Sequence, residues 1–175
     1  MRRCAARARA RRPFSCAIAA LLLLASCTLR PLHGGSEGER VNGLLSEIAI
    51  EAPRNRLGQL LERALAEEFE TLGPPRAPRY RLLLRVEREK TPLAVQLDDV
   101  TTRFDLILAA RFDLVREADR AVVMRGAARR VASYNVVRAP FATLVAEQDA
   151  ERRAAKELAR EIRTRLAVQL AEGDR

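Results

Sequence analysis

The chain predicts an α+β domain of order β-α-β-β-β-α, with two amphipathic helices packed on one face of a mainly antiparallel four-stranded sheet. Three observations predict it. Apolar residues recur at three- and four-residue spacing from Leu57 to Leu72 and again from Leu144 to Leu166, the period of a helix with one buried face. Between these stretches the period drops to two, over Tyr80–Val86, Phe104–Leu114 and much of Ala121–Val137, as in strands covered on one side. The charged stretch Arg116-Glu117-Ala118-Asp119-Arg120 reads as a hairpin tip, which makes the last two strands antiparallel neighbours.

Leu45 to Glu51 places Ile48 and Ile50 on one side and is closed by Pro53, which marks a first strand. The helix that follows carries Leu57, Leu60, Leu61, Ala64, Leu65, Phe69 and Leu72 on its apolar stripe. Asn55 is its N-cap, and Gly73-Pro74-Pro75 ends it. Burying its leucines and phenylalanine is worth roughly 10 kcal/mol gross, before chain entropy, so the helix must pack on something.

In the second strand Tyr80, Leu82, Leu84 and Val86 alternate with Arg81, Leu83, Arg85 and Glu87. A short connection containing Lys90 and Pro92 leads through Leu93, Val95 and Leu97 to the clearest strand in the chain. There Phe104, Leu106, Leu108, Ala110, Phe112 and Leu114 oppose Arg103, Asp105, Arg111 and Asp113. The last strand runs from Ala121 to Val137, with Gly126 as the expected bulge, so its inward register stays open by one residue. The favoured inward set is Val122, Met124, Ala128, Ala132, Tyr134 and Val136. Pro140 suits the first turn of a final helix that reaches about Leu170. Leu144, Ala155, Leu158, Ile162 and Leu166 form its stripe, and its alanines permit close approach to a sheet. Asp149 with Arg153, and Glu161 with Arg165, are favourable pairs four residues apart.

The chain starts differently. Six arginines and no acid stand in its first twelve residues, followed by an apolar run from Phe14 to Leu24. Spanning a bilayer takes about 20 apolar residues, so this run reads as a cleavable export signal over residues 1–26. It ends in Leu24-Ala25-Ser26-Cys27, which resembles the lipobox of bacterial lipoproteins: a branched apolar residue, two small residues and the cysteine whose thiol takes the lipid. Cys4 and Cys16 leave with the signal, so the mature chain keeps only Cys27 and forms no internal disulfide. Acyl chains there, at about 0.8 kcal/mol per buried CH₂, would hold the protein to a membrane. Residues 27–43 hold Pro31, Gly34, Gly35, Gly38 and Gly43 and read as a flexible tether with a reach of about 50 Å. A single domain is then expected over residues 44–172.

Removing the signal also removes six of the 32 basic residues and none of the 23 acidic ones, so the formal charge falls from +9 to +3. A nucleic-acid partner loses its support. The only histidine, His33, lies in the tether, so neither a metal site nor a Cys-His or Ser-His nucleophile can be assembled. Asp98 and Asp99 are neighbours and would point to opposite faces of a strand. No cofactor, metal or enzymatic activity is expected. What remains is arginine, since every basic residue but Lys90 and Lys156 is one. Guanidinium forks bind phosphate in two places at once. Arg88 with Lys90, and Arg116 with Arg120, are the candidate binding clusters because both pairs are expected at turns.

The ordered set Leu93-Ala94-Val95-Gln96, Thr102-Arg103, Ala132-Ser133-Tyr134-Asn135-Val136-Val137 and Pro140-Phe141-Ala142-Thr143-Leu144 resembles the LptE family of lipopolysaccharide-assembly lipoproteins, in its alphaproteobacterial branch. The lead Cys27-Thr28-Leu29-Arg30-Pro31-Leu32-His33-Gly34 is similar to that family's start, with Thr28, Leu29 and His33 in place of Gly, Phe and Tyr. The resemblance implies a non-enzymatic protein that sits in the lumen of the outer-membrane β-barrel LptD, assists its assembly and helps deliver lipopolysaccharide to the surface. It implies anchoring through Cys27 at the periplasmic leaflet of the outer membrane, with Thr28, not Asp, after the cysteine. Arg88, Lys90, Arg116 and Arg120 are then the candidates for lipopolysaccharide phosphates. A second non-enzymatic reading is an auxiliary lipoprotein of an ABC-type lipid transport system, and the partner separates the two.

Overall fold

The structure, a computed structural model, describes residues 36–71, 73–94 and 102–173. The export signal, Cys27 and Asp98-Asp99 lie outside these residues. In chain order the elements are α1 (Ser36–Ser46), β1 (Ile48–Glu51), α2 (Arg56–Glu68), β2 (Tyr80–Ala94), β3 (Thr102–Arg116), β4 (Val122–Val136) and α3 (Pro140–Gly173). The sheet order is β1-β2-β3-β4, with β1 parallel to β2 and the other neighbours antiparallel. The expected α+β fold is present, with one more helix.

That helix, α1, is a correction. Residues 36–43 were expected as tether and Leu45 as strand, yet both belong to a helix that buries Val41, Leu44 and Leu45. These three residues with Ile48 follow a three- and four-residue spacing, and Asn42 Oδ1 accepts from Arg163 Nη2 at 2.9 Å. Packing on α3 overrides the low helix propensity of Gly38 and Gly43.

Helix α2 begins as its cap dictates. Asn55 Oδ1 accepts from the Gly58 amide at 2.8 Å. A Cβ on Gly58 would stand 2.1 Å from the Pro53 carbonyl oxygen, so only glycine lets the strand-to-helix turn close this tightly. Leu61 and Leu65 bury against α3 and the sheet.

The three long strands put their even-numbered residues under the helices. Leu82 faces Leu114, Leu84 faces Phe112, and Leu106, Leu108 and Ala128 complete that floor. The bulge is not at Gly126. Gly126 pairs regularly with Phe112, whose ring fills the space where a Cβ would be, 2.3 Å from Cζ. The extra residue is Val123, where pairing jumps from Leu114–Met124 to Val115–Val122. Val122 is therefore exposed and Val123 packs against the core, while Met124, Ala128, Ala132, Tyr134 and Val136 face inward as expected.

On α3 the buried stripe runs Ala150, Ala154, Ala155, Leu158, Ile162, Leu166 and Leu170, with alanines where the helix comes close to the sheet. Leu144 was expected in that stripe but is half exposed, as is Val145, and Phe141 is 77% exposed. Among the described residues no element covers this first part of the helix.

Candidate binding surface

The expected arginine clusters fall on different parts of the sheet. Arg88 and Lys90 were placed at a turn, but β2 continues to Ala94, so both are strand residues, opposite Leu108 and Leu106. Being even-numbered, they face the helices. Arg88 pairs with Glu151 and lies 3.4 Å from Glu147, Lys90 pairs with Glu147, and Arg56 at the start of α2 also pairs with Glu151. Glu151 is fully buried. A buried carboxylate has to be matched by cations, and Arg56 and Arg88 supply the match, while Lys90 pairs with Glu147 one turn earlier. Their first task is to hold α3 on the distal half of the sheet.

Tyr134 closes this network, its hydroxyl donating to Glu147 Oε2 at 3.4 Å while its ring stacks on Phe104 at 5.9 Å. Burial pushes the Glu147 carboxyl up, but Lys90, Arg88 and the Tyr134 hydroxyl outweigh it and hold the group below its ordinary value. Burial, followed by the charge of Glu147, raises the Tyr134 phenol.

Arg116 and Arg120 are at a hairpin tip, as expected. Arg116 ends β3 and its amide donates to the Ala121 carbonyl at 2.9 Å. Arg120 adopts φ of 59° to make the turn, a conformation uncommon outside glycine. Arg116 pairs with Asp119 at 3.2 Å and Arg120 with Glu117 at 3.3 Å. Glu117 also accepts from Arg81 Nε at 2.6 Å, and that bond, against a smaller effect of desolvation, raises the Arg81 pKa. All four tip side chains of Arg116, Glu117, Asp119 and Arg120 reach solvent.

Sequence reading missed Arg79 here. Its carbonyl accepts from the Glu117 amide at 3.0 Å, and its guanidinium lies 5.8 Å from the Tyr80 ring centre. Only the pairing of Tyr80 with Arg116 brings it to the tip, and no local signal in the chain announces that register. Behind the tip is a hollow of about 270 Å³ bordered by Tyr80, Arg116, Val123 and Leu170. Arg88 is eight residues along β2 from Tyr80, roughly 26 Å at strand rise. The four candidates therefore make two separate sites: a partly buried structural one and an exposed one.

The second face of the sheet carries the odd-numbered residues and is not covered by any described element. Arg81, Arg85, Arg111, Arg125 and Arg129 alternate there with Glu87 and Asp113. Among the described residues no group of His, Cys, Asp or Glu is arranged to hold a metal ion, and no helix is long and apolar enough to cross a membrane.

Comparison with known proteins adds three findings. A family model described as LptE, lipopolysaccharide-assembly, matches residues 45–166, more than half of the chain. A protein of Caulobacter crescentus CB15, described as a lipoprotein, is 31% identical over 77% of this chain and 97% of its own, with a TM-score of 0.66. A minor lipoprotein of Acinetobacter baumannii and lipoprotein B of Nitrosomonas europaea are each 18% identical. They cover 71% and 72% of this chain and 94% and 84% of their own, at TM-scores of 0.52 and 0.54, and so share the fold. A search of curated proteins finds no significant match.

Proposed function

Because this chain belongs to the LptE family of lipopolysaccharide-assembly proteins, we propose that it is a non-enzymatic lipoprotein that complexes with an LptD-type β-barrel in the outer membrane. In this reading residues 1–26 are removed on export and Cys27 is acylated. The tether ends at α1, and the folded domain assists the barrel's assembly and the delivery of lipopolysaccharide. The family match over residues 45–166 carries the proposal. It favours a barrel partner over an auxiliary role in an ABC-type lipid transporter.

Two physical features support it. The domain keeps a charged sheet face uncovered, as suits a protein that must sit against the polar lumen of a barrel. Its hairpin tip presents Arg116 and Arg120 with Arg79 close by, in solvent, where guanidinium forks can exchange surface carboxylates for phosphates of the glycolipid. Arg88 and Lys90 are the weaker candidates, because phosphate would have to displace Glu147 and the buried Glu151.

The test is affinity purification of the mature protein, with Cys27 intact, from detergent-solubilised outer membranes. A stoichiometric large β-barrel is the expected partner. Recovery of inner-membrane transporter subunits in its place would overturn the assignment.

A further inference from the structure

The uncovered sheet face contains an arrangement that stability alone does not explain. Arg85 on β2 is directly opposite Arg111 on β3, and Arg111 is opposite Ala127 on β4. In the next row Glu87, Ala109 and Arg129 stand side by side. Side chains directly opposite across an antiparallel pair have Cβ atoms about 5 Å apart, and like charges there are destabilising. The nearest acid gives little relief: Glu87 is 3.9 Å from Arg111, with both side chains more than 70% exposed. Asp113 is taken by Arg125 at 3.7 Å.

Arg85 and Arg129 have no ion-pair partner among the described residues. On the helix-facing side Arg88 and Lys90 each have a carboxylate, and on this face Arg81 and Arg125 do too, so Arg85 and Arg129 stand apart even from their neighbours. Alanines leave the floor between the free arginines low. The Arg85–Arg111 pair separates a hollow of about 280 Å³ beside Pro53 and Leu83 from one of about 450 Å³ over Ala109 and Ala127.

We propose that this face is the contact surface for the barrel partner, and that Arg85, Arg111 and Arg129 pair with carboxylates projecting from that protein. The inference rests on the functional reading above and deepens it by naming the face and the chemistry of the partner. A protein surface fits better than a small anion because the three arginines come from three different strands and the hollow they line also holds Glu87 and Glu161, which repel a small anion. Exposed Val131 borders the same face and can be buried by a broad partner. Repulsion retained in the free domain and relieved in the complex is a stability cost of the kind binding sites carry.

The test uses the full-length chain, exported and lipidated, with Arg85→Gln, Arg111→Gln and Arg129→Gln combined, and Arg111→Gln alone. The triple variant is expected to recover at least tenfold less barrel from detergent-solubilised membranes, while its urea midpoint stays equal to or above wild type. Wild-type recovery should itself fall with rising salt. A photo-crosslinking residue at Ala127 in the otherwise unaltered chain should form an adduct with the barrel. Undiminished barrel recovery by the triple variant overturns the inference, as does a fall in its midpoint that matches the loss of recovery. Normal barrel recovery with loss of lipopolysaccharide binding would assign the face to the glycolipid and overturn it too. If the wild-type chain recovers no barrel at all, the functional reading fails, and this inference with it.

Discussion

Glu151 allows the cost of a buried charge to be separated from the worth of its ion pairs. Its side chain is fully buried, whereas Arg56 and Arg88, which pair with it, are 60% and 35% exposed. Deleting the carboxylate as Glu151→Leu frees two guanidiniums that water can reach. The lost hydrogen bonds are worth about 1–2 kcal/mol, and removal of the carboxylate's desolvation offsets part of that. Deleting both arginines as Arg56→Ala/Arg88→Ala strands a carboxylate in the core, which costs about 3–5 kcal/mol. A domain of this size loses about 2–4 °C of Tm per kcal/mol, so the double variant should melt roughly 10 °C below wild type and the leucine variant within a few degrees of it. Circular dichroism of the mature protein in detergent, in urea and on heating, reads both. A Glu151→Leu variant at least as unstable as the double variant would refute the reasoning. The outcome also bears on function, because any loss of lipopolysaccharide binding in an Arg88 variant should then come with lost stability.

Four further outcomes are expected. Gly126→Ala drives a methyl into the Phe112 ring and should cost about 1–3 kcal/mol, with Phe112→Leu in the same chain recovering part of it in a double-mutant cycle by urea unfolding. Asn55→Ala removes the side-chain cap from the Gly58 amide and should lower stability by about 1 kcal/mol. Glu147 has a folded pKa below its ordinary 4.5, so its linked stability is present above the unfolded pKa and drains as pH falls through the folded one. The stability gap between wild type and Glu147→Gln should thus be wider near neutral pH than at acid pH, as read by urea midpoints across that range. Arg116→Ser/Arg120→Ser breaks only exposed pairs and should move stability by less than about 1 kcal/mol, while lipopolysaccharide binding weakens and loses part of its salt dependence. Unchanged binding and salt slope would remove the tip from the site.

Period and punctuation made most of this fold legible. The alternation from Phe104 to Leu114, the cap at Asn55 and the pairs Asp149–Arg153 and Glu161–Arg165 are local facts, and each stands in the structure. What was missed depends on partners distant in the chain. Helix α1 was hidden because Gly38 and Gly43 resemble a linker until Val41, Leu44 and Leu45 meet α3. The bulge was assigned to Gly126 because glycine often marks one, whereas the cause of this glycine is a Phe112 ring fourteen residues earlier. Lys90 and Pro92 looked like a connection, yet β2 runs through them to Ala94. Pro92 is tolerated because this part of β2 lies beyond β1, whose pairing stops at Leu83, so the strand is an edge there. The candidate site divided for the same reason: both pairs were expected at turns, but β2 continues through Arg88 and Lys90, and register puts them at the opposite end of the sheet from Arg116.

The treatment of the sheet edges bears on which surface a partner can use. β4 is an outer strand of fifteen residues, long enough to invite pairing with another chain. Two arginines of α3 reach over it, with Arg165 Nη1 donating to the Ala127 carbonyl at 2.5 Å and Arg153 Nη2 to the Ser133 carbonyl at 3.3 Å. Those carbonyls are no longer free to accept an incoming strand. On the other side β1 is only four residues long, and the open stretch of β2 beyond it carries Arg85, Glu87, Arg88, Glu89, Lys90 and Pro92. Charges and proline discourage strand addition there too. With both edges blunted and one face buried under helices, the broad surface that the described residues leave for a protein partner is the other face of the sheet. That is the face where Arg85 and Arg129 lack an acid among the described residues. Under the proposed function, closed edges beside a charged and bare face favour side-chain recognition over extension of the sheet. Partner binding should accordingly survive substitution of Arg153 and respond to Arg85, Arg111 and Arg129.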